Sequence, residues 1–327
     1  MVPGILLAGE PMGLYIAQEE GPIDQAVTFR AAVAGAEFNV AVGLTRLGHR
    51  VEYLTRLGCD PDGERIRRAL RETGVGDALV ITDPERPTGI MFKGRVSRGD
   101  PPIFYRRRGS AAAALSREDV ERLDLSAFGC LHLTGILPAL SPCALDAAEY
   151  LVDKARAAGL FISFDPNLRP QLWPSPAVMA ETVNRLAARA DLFLPGAGEG
   201  ERLMGSADPA AIARHYQRLG VRYVVVKTGK TGAYAAGEGE AFQSPTYQET
   251  AVVDTVGAGD GFAAGVLSAL REGLSLREAV RRGNAIGTIQ IQHEGDNEGL
   301  PTREALEEFM TRSSSRERTI TNGCTVS

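Results

Sequence analysis

The sequence predicts an α/β fold: a three-layer α/β/α sandwich on a mostly parallel central sheet, with a small β-sheet lid. Three observations carry this. From about Ala127 onward, short β-prone runs alternate with helical runs, the order that builds a parallel sheet covered on both faces. The first third carries instead β-branched and aromatic stretches broken by Gly and Pro, at 15–33 and 89–105, which read as antiparallel strands. Finally, 327 residues at 44% hydrophobic and 24% charged suffice for one large globular domain or two small ones.

Taken in order, the apolar start at 4–8 is too short for a signal-peptide core and lacks a basic lead. Helices follow at 39–47 and 63–71. They lie between the two β segments, 12–33 and 87–109, which together would form a lid over a site at the sheet's end. The alanine run 111–114 reads as a loop or the approach to a helix. Strands at 130–135, 160–165, 191–194 and 223–227 then alternate with helices at 141–158 and 177–188, and long helices close the series at 261–271 and 276–290. The polar tail 313–327 is expected to be disordered, leaving 1–312 as the folded domain.

Composition excludes several functions. A net charge of -5 argues against a nucleic-acid surface, and no run approaches the length of a membrane span. Cys59, Cys130, Cys143 and Cys324 form no Cys-x-x-Cys pair, which fits a reduced, cytoplasmic setting. His49, His132, His215 and His293 lie far apart, without metal-ligand spacing.

The chemistry concentrates in Asp254-Thr-Val-Gly-Ala-Gly-Asp260-Gly-Phe262. Phe262, Val266, Leu267 and Leu270 follow at helical spacing, so the glycine turn sits at a helix N-terminus, where unpaired N–H groups and the helix dipole favour an anion. A fixed negative charge at Asp260 gains nothing beside an anion site unless it has another task, and a general base has one. A plain helix start with an acidic first turn is the bland alternative. The whole string, however, resembles the C-terminal signature of the PfkB, or ribokinase-like, family of sugar kinases. That resemblance implies a ribokinase-like fold, Asp260 as catalytic base, and an anion hole from the amides of Gly257, Ala258 and Gly259. It also implies ATP and Mg2+, with a monovalent cation as a further candidate, and a homo-oligomer joined through the lid.

Other segments resemble the same family. Gly35-Ala-Glu-Phe-Asn39-Val-Ala41 matches its N-terminal motif, with Ala36 in place of a second glycine; Gly35 would allow a close turn and Asn39 would offer its amide to substrate hydroxyls or cap the helix. Asp165-Pro-Asn-Leu-Arg169 places an arginine fork at a strand end, suited to a carboxylate or phosphate. This string and Tyr105-Arg-Arg107 are most similar to the 2-keto-3-deoxygluconate kinases of the family, where Tyr105, Arg107 and Arg169 would meet the ligands. Strand alternation puts Tyr105 and Arg107 on one face and Arg106 and Arg108 on the other. Asp296, in Gly295-Asp-Asn-Glu-Gly299, would close the substrate pocket.

For the nucleotide, the resemblance implies Asn167, Arg169, Lys227, Thr228, Gly229, Gly232, Gly257, Gly259 and Asn284, with no Walker-type loop. The family's Asn-x-x-Glu motif is half kept, with Gly196 replacing the asparagine and Glu199 expected to act on magnesium through water. The activity implied is transfer of phosphate from ATP to the C6 hydroxyl of a sugar acid, 2-keto-3-deoxygluconate. Alternatives are a family kinase for 5-keto-2-deoxygluconate, ribose or fructose, and a non-catalytic sugar or nucleotide sensor. A nicotinamide enzyme is disfavoured because no Gly-x-Gly-x-x-Gly follows the first strand.

Overall fold

The computed structural model describes residues 3–96, 101–247 and 252–323. The chain starts with β1 (Gly4–Ala8), then β2 (Met12–Ala17), β3 (Phe29–Ala34), α1 (Ala36–Arg46), β4 (Val51–Gly58), α2 (Pro61–Thr73) and β5 (Val80–Asp83). It continues through β6 (Ile90–Lys93), β7 (Ile103–Arg106), α3 (Arg117–Glu121), β8 (Phe128–Thr134), α4 (Pro142–Ala157), β9 (Phe161–Asp165), α5 (Pro176–Ala187) and β10 (Leu192–Phe193). The last third holds α6 (Ala197–Met204), α7 (Pro209–Arg218), β11 (Tyr223–Lys227), β12 (Ala233–Gly237), β13 (Glu240–Ser244), α8 (Ala258–Arg271), α9 (Leu276–Gln290) and α10 (Arg303–Gly323).

Among the described residues the main sheet has nine strands in the order β13-β12-β11-β10-β9-β8-β1-β4-β5. It is parallel from β11 to β5, and β12 and β13 add an antiparallel hairpin at one edge. Central strands buried on both faces need continuous apolar runs, as in Tyr223-Val-Val-Val of β11. One core lies between the sheet and α1, α2, α8 and α9; the other lies between the sheet and α4, α5 and α7. The result is the three-layer sandwich. Helix starts follow local chemistry: Ser141 caps α4 through the Ala144 amide at 3.0 Å with Pro142 at the first position, and Ser275 with Glu278 forms a capping box on α9.

The second sheet, β3-β2-β6-β7, is the lid. It departs from the antiparallel expectation because β2 and β6 run parallel, while β2–β3 and β6–β7 are antiparallel. The cause is connectivity: β6 enters after the excursion through α1, β4, α2 and β5, so no hairpin fixes its direction relative to β2. The inner face is apolar, with Met12, Leu14, Ile16, Ala34 and Met91 buried together.

One boundary also differs. Helix α1 starts at Ala36 rather than Asn39, so Asn39 sits inside its first turn and Gly35 is the cap. Helix α10 spans Arg303–Gly323, with no Gly or Pro between its ends, and so overlaps the start of the 313–327 tail. The lid expectation over 87–109 includes 97–100, and the tail expectation includes 324–327; both short stretches lie outside the described residues.

Candidate active site

A cavity of about 380 Å³ opens between the lid and the carboxyl ends of the parallel strands, where open α/β sheets bind ligands. β9 ends at Asp165 and β11 at Lys227, and both residues line it. The lid contributes Met12, Ala34, Met91, Ile103 and Tyr105. The floor is the turn Thr255–Gly259 leading into α8.

Gly257 caps α8 in a left-handed conformation with φ 77°. A β-carbon there would stand 1.9 Å from the carbonyl oxygen of Asp296, so the loop carrying Asp296 can close on the turn only if residue 257 is glycine. The first amides of α8 have no partner within the helix. Gly257 and Gly259 line the cavity, whereas the Ala258 amide makes a long bond to Thr255 at 3.5 Å. A β-carbon on Gly259 would lie 3.9 Å from the Lys227 ammonium, so Lys227 faces the same turn.

Asp260 follows immediately. Its Oδ2 accepts a hydrogen bond from Asn39 Nδ2 at 2.8 Å, and Asn39 Oδ1 accepts one from Asn297 Nδ2 at 3.0 Å. Asn39 is thus a positioning residue for Asp260, rather than the helix cap. The carboxylate is half-buried, its open side being the cavity. Desolvation pushes its pKa up to about 7, with the Asn39 bond and the charges of Lys227 and Arg169 pulling down and Asp165 pushing up.

The cations of the cavity differ in how they are compensated. Lys227 Nζ donates to Asp165 Oδ2 at 2.5 Å; burial disfavours its ammonium, but Asp165, Glu199 and Asp260 outweigh that and raise its pKa. Arg107 is buried against Glu10, with Nε donating to Oε2 at 2.6 Å, and Ser110 donates to the other Glu10 oxygen. Arg169 is different. Its Nη1 donates to the carbonyls of Leu168 (3.0 Å) and Asn167 (3.4 Å), and among the described residues it makes no ion pair. Asn167, which lines the cavity beside it, holds a positive φ of 37° with its amide on Asp165 Oδ1 at 3.1 Å.

The cavity therefore gathers Gly35, Asn39, Tyr105, Arg107, Asn167, Arg169, Glu199, Lys227, Gly257, Gly259, Asp260 and Asp296. Thr228, Gly229, Gly232 and Asn284 lie outside its lining. The 228–232 turn joins β11 to β12, with Thr228 N donating to Gly232 O at 2.9 Å. Asn284 is buried and spends Nδ2 on Ser244 O and Pro245 O at 3.2 and 3.1 Å, locking α9 to the end of β13. Its amide is structural; only Oδ1 is left for a ligand. Both groups meet at Ser244, whose carbonyl stands 2.1 Å from where a Gly232 β-carbon would be.

Three further residues line or brace the site: Asp165 lines the cavity, Glu10 holds Arg107 and Lys93 holds Asp254. Asp165 stands in the Asp-Pro-Asn string, which does not by itself mark its role. Glu10 precedes Pro11 in a connection with no motif. Lys93 gave a usable signal: it shares the buried face of β6 with Met91, and a charge on an apolar face needs a buried partner.

Among the described residues no group of three His, Cys, Asp or Glu side chains is arranged to hold a metal. Glu199 Oε1 accepts the Leu168 amide at 2.8 Å and Oε2 the Gly196 amide at 2.7 Å, so it ties α6 to the 165–169 loop, and burial raises its pKa. The donor set at the strand ends fits a magnesium ion that keeps much of its water and arrives with nucleotide phosphates; Asp165, here paired with Lys227, and Glu199 through water are the residues that would hold it.

The pfkB family carbohydrate kinase profile matches residues 5–303. The chain belongs to this family. As a pfkB carbohydrate kinase it is 46% identical over 314 residues to 2-dehydro-3-deoxygluconokinase of Bacillus subtilis (strain 168), covering 95% of each chain. It is 33% identical to the 2-dehydro-3-deoxygluconokinase of Thermoproteus tenax over 94% of each. Among solved structures, a PfkB protein from Polaromonas sp. JS666 superposes with a TM-score of 0.86 at 44% identity, over 93% of this chain and 99% of that one. An E. coli protein solved in complex with ATP and Mg2+ gives 0.87 at 26% identity, over 95% and 99%. The ribokinase-like fold and the sugar-kinase class expected from the motifs both stand.

Proposed function

We propose that this kinase transfers the γ-phosphoryl group of ATP to the C6 hydroxyl of 2-keto-3-deoxygluconate, the compound also called 2-dehydro-3-deoxygluconate. One observation carries the choice of a sugar acid: Arg169 is the cation on the cavity that lacks an ion-pair partner among the described residues, whereas Lys227 and Arg107 are already paired. A neutral sugar would leave that guanidinium uncompensated; a carboxylate matches its fork. The relatives named as 2-dehydro-3-deoxygluconokinases support the same substrate.

In this reading the sugar acid lies under the lid, its carboxylate on Arg169 and its hydroxyls toward Gly35 and Asn39. The nucleotide lies along the turn at 228–232, with its phosphates at Lys227 and the start of α8; that a similar E. coli protein was solved with ATP and Mg2+ supports nucleotide binding by this fold. Asp260 takes the proton of the C6 hydroxyl as that oxygen attacks the γ-phosphorus in line and ADP leaves. The amides of Gly257 and Gly259, with Lys227, hold the charge spread over the moving phosphoryl oxygens. Bound with the nucleotide, magnesium would neutralise further phosphate charge.

Outside the cavity, the lid's far face presents Phe29, Phe92 and exposed Phe104 in ring contact, a surface suited to a second copy of the chain. Free Cys59, Cys130 and Cys143 suit the cytoplasm.

The test is ADP release with magnesium-ATP and a panel of 2-keto-3-deoxygluconate, its galactonate epimer, 5-keto-2-deoxygluconate, ribose and fructose. Selective turnover of the 2-keto-3-deoxy acids is expected. Turnover of only the neutral sugars would overturn the Arg169 argument and leave Asp260 in place.

A further inference from the structure

The lid meets the phosphate-binding turn through one buried charge. Lys93 ends β6 on the lid's inner, apolar face, and its side chain is 6% exposed. Its Nζ donates to Asp254 Oδ2 at 2.8 Å and stands 3.6 Å from Asp296 Oδ1. These two carboxylates belong to different loops, the one opening the turn into α8 and the one returning from α9.

Several further bonds brace the backbone behind the turn's amides around this point. Asp254 accepts the Val256 amide at 3.1 Å and the Gly295 amide at 3.3 Å. Gln290, fully buried, donates its amide to the carbonyls of both Val256 (3.3 Å) and Gly295 (2.7 Å). The Gly257 Cα packs on the Asp296 carbonyl. Without a cation between them, half-buried Asp254 and buried Asp296 would be two carboxylates repelling each other across the seam that fixes Gly257. Other polar contacts from lid to body do not reach this turn: Arg107 is buried against Glu10 after β1, Tyr15 reaches Asp62 on α2, and Arg30 meets Glu298 at 3.7 Å on the surface.

We propose that Lys93 is a positioning residue whose ammonium, carried by the lid, assembles the 254–257 and 294–297 loops, so that seating the lid and forming the anion hole are one event. The inference rests on the kinase reading for its catalytic consequence but not for its structural one. It makes the lid more than a cover: a lid displaced from the body withdraws the cation and loosens the amides that hold the phosphoryl group.

The test uses the full chain with Lys93→Ala and Lys93→Arg, read in two ways. Hydrogen exchange needs no turnover. In Lys93→Ala the amides of 254–259 should exchange at least about tenfold faster, while β8 and β9 keep their protection. In steady state kcat should fall about ten- to hundredfold with the sugar-acid KM changed less than about threefold, as loss of a charged hydrogen bond that acts on the transition state requires. Ammonium chloride should restore both readouts saturably, where tetramethylammonium chloride at equal ionic strength does not, because the vacated space admits a small cation. Lys93→Arg keeps the charge and should retain most of the activity. Unchanged exchange at 254–259 overturns the proposal. So does a kcat loss that ammonium does not relieve, or one accompanied by exposure of β8 and β9 in both variants. If wild type turns over no substrate but the exchange result holds, the kinase reading fails and the lid coupling stands.

Discussion

As the proposed base, Asp260 should set a pH limb whose position follows from its surroundings. Desolvation raises its carboxyl from 3.8 to about 7. A general base works only when ionised, so kcat/KM should fall as the pH drops through that value. The ionised fraction is about nine-tenths at pH 8 and about one-eleventh at pH 6, so the expected fall is about tenfold; an aspartate at its ordinary pKa would give almost none. Asn39 supplies the second arm. Its 2.8 Å bond favours the ionised form, and hydrogen bonds to charged groups are worth roughly 1.5–3 kcal/mol. Removing it in Asn39→Ala should therefore move the limb up by about 1–2 pH units and cut activity near pH 7 about 5- to 50-fold, with recovery at higher pH. Initial rates of ADP release at low sugar acid and excess magnesium-ATP measure both arms. Ionisation of the nucleotide can produce a limb of its own, but Asn39→Ala would not move it. A flat profile between about pH 6 and 8, or a limb that stays put in Asn39→Ala, would sink the assignment of Asp260 as base.

Asp260→Asn should lower kcat by about 10²–10⁴-fold with ligand binding kept, as read by calorimetric titration of the sugar acid. Because the folded-state pKa of Asp260 lies above 3.8, its ionised form costs stability; that cost is absent below about pH 4 and complete above about pH 7. The melting temperature of Asp260→Asn should accordingly gain on wild type as the pH rises through that window, and a gain at acid pH only would contradict the sign. Arg169→Ala should reduce kcat/KM for the sugar acid by about ten- to hundredfold while leaving any slow turnover of a neutral analogue unchanged. Gly257→Ala places a β-carbon 1.9 Å from the Asp296 carbonyl at a left-handed φ. It should lower the melting temperature by at least a few degrees and abolish most activity, and wild-type values for both would show that the two loops are not in contact.

How far the sequence could be read depended on the range of the interaction concerned. Strand β11 and helix α9 have the boundaries expected from sequence because their signals are local: a β-branched run ending in Lys227, and a Ser275–Glu278 capping box before an apolar period. The turn at 254–260 was legible for the same reason, since glycine spacing and a helix start are written in consecutive residues. The lid was legible as β-structure but not in its pairing. The β2–β6 register joins segments separated by two helices and two strands of the main sheet, and alternation within a strand says nothing of its neighbour's direction. The links that tune the site were further from reach. Asn39 meets Asp260 across 221 positions and Asn297 across 258, while Lys93 meets Asp254 across 161. Each is a polar group on an otherwise buried face, so the sequence could show that a partner was needed without saying which. Arg107 is the converse case. Its type and position matched an anion contact, yet Glu10, outside every motif, already compensates it. The charge available to a substrate can be counted only after such internal pairs are subtracted. That subtraction, rather than the number of arginines near the cavity, is the ground for proposing that Arg169 selects the acid.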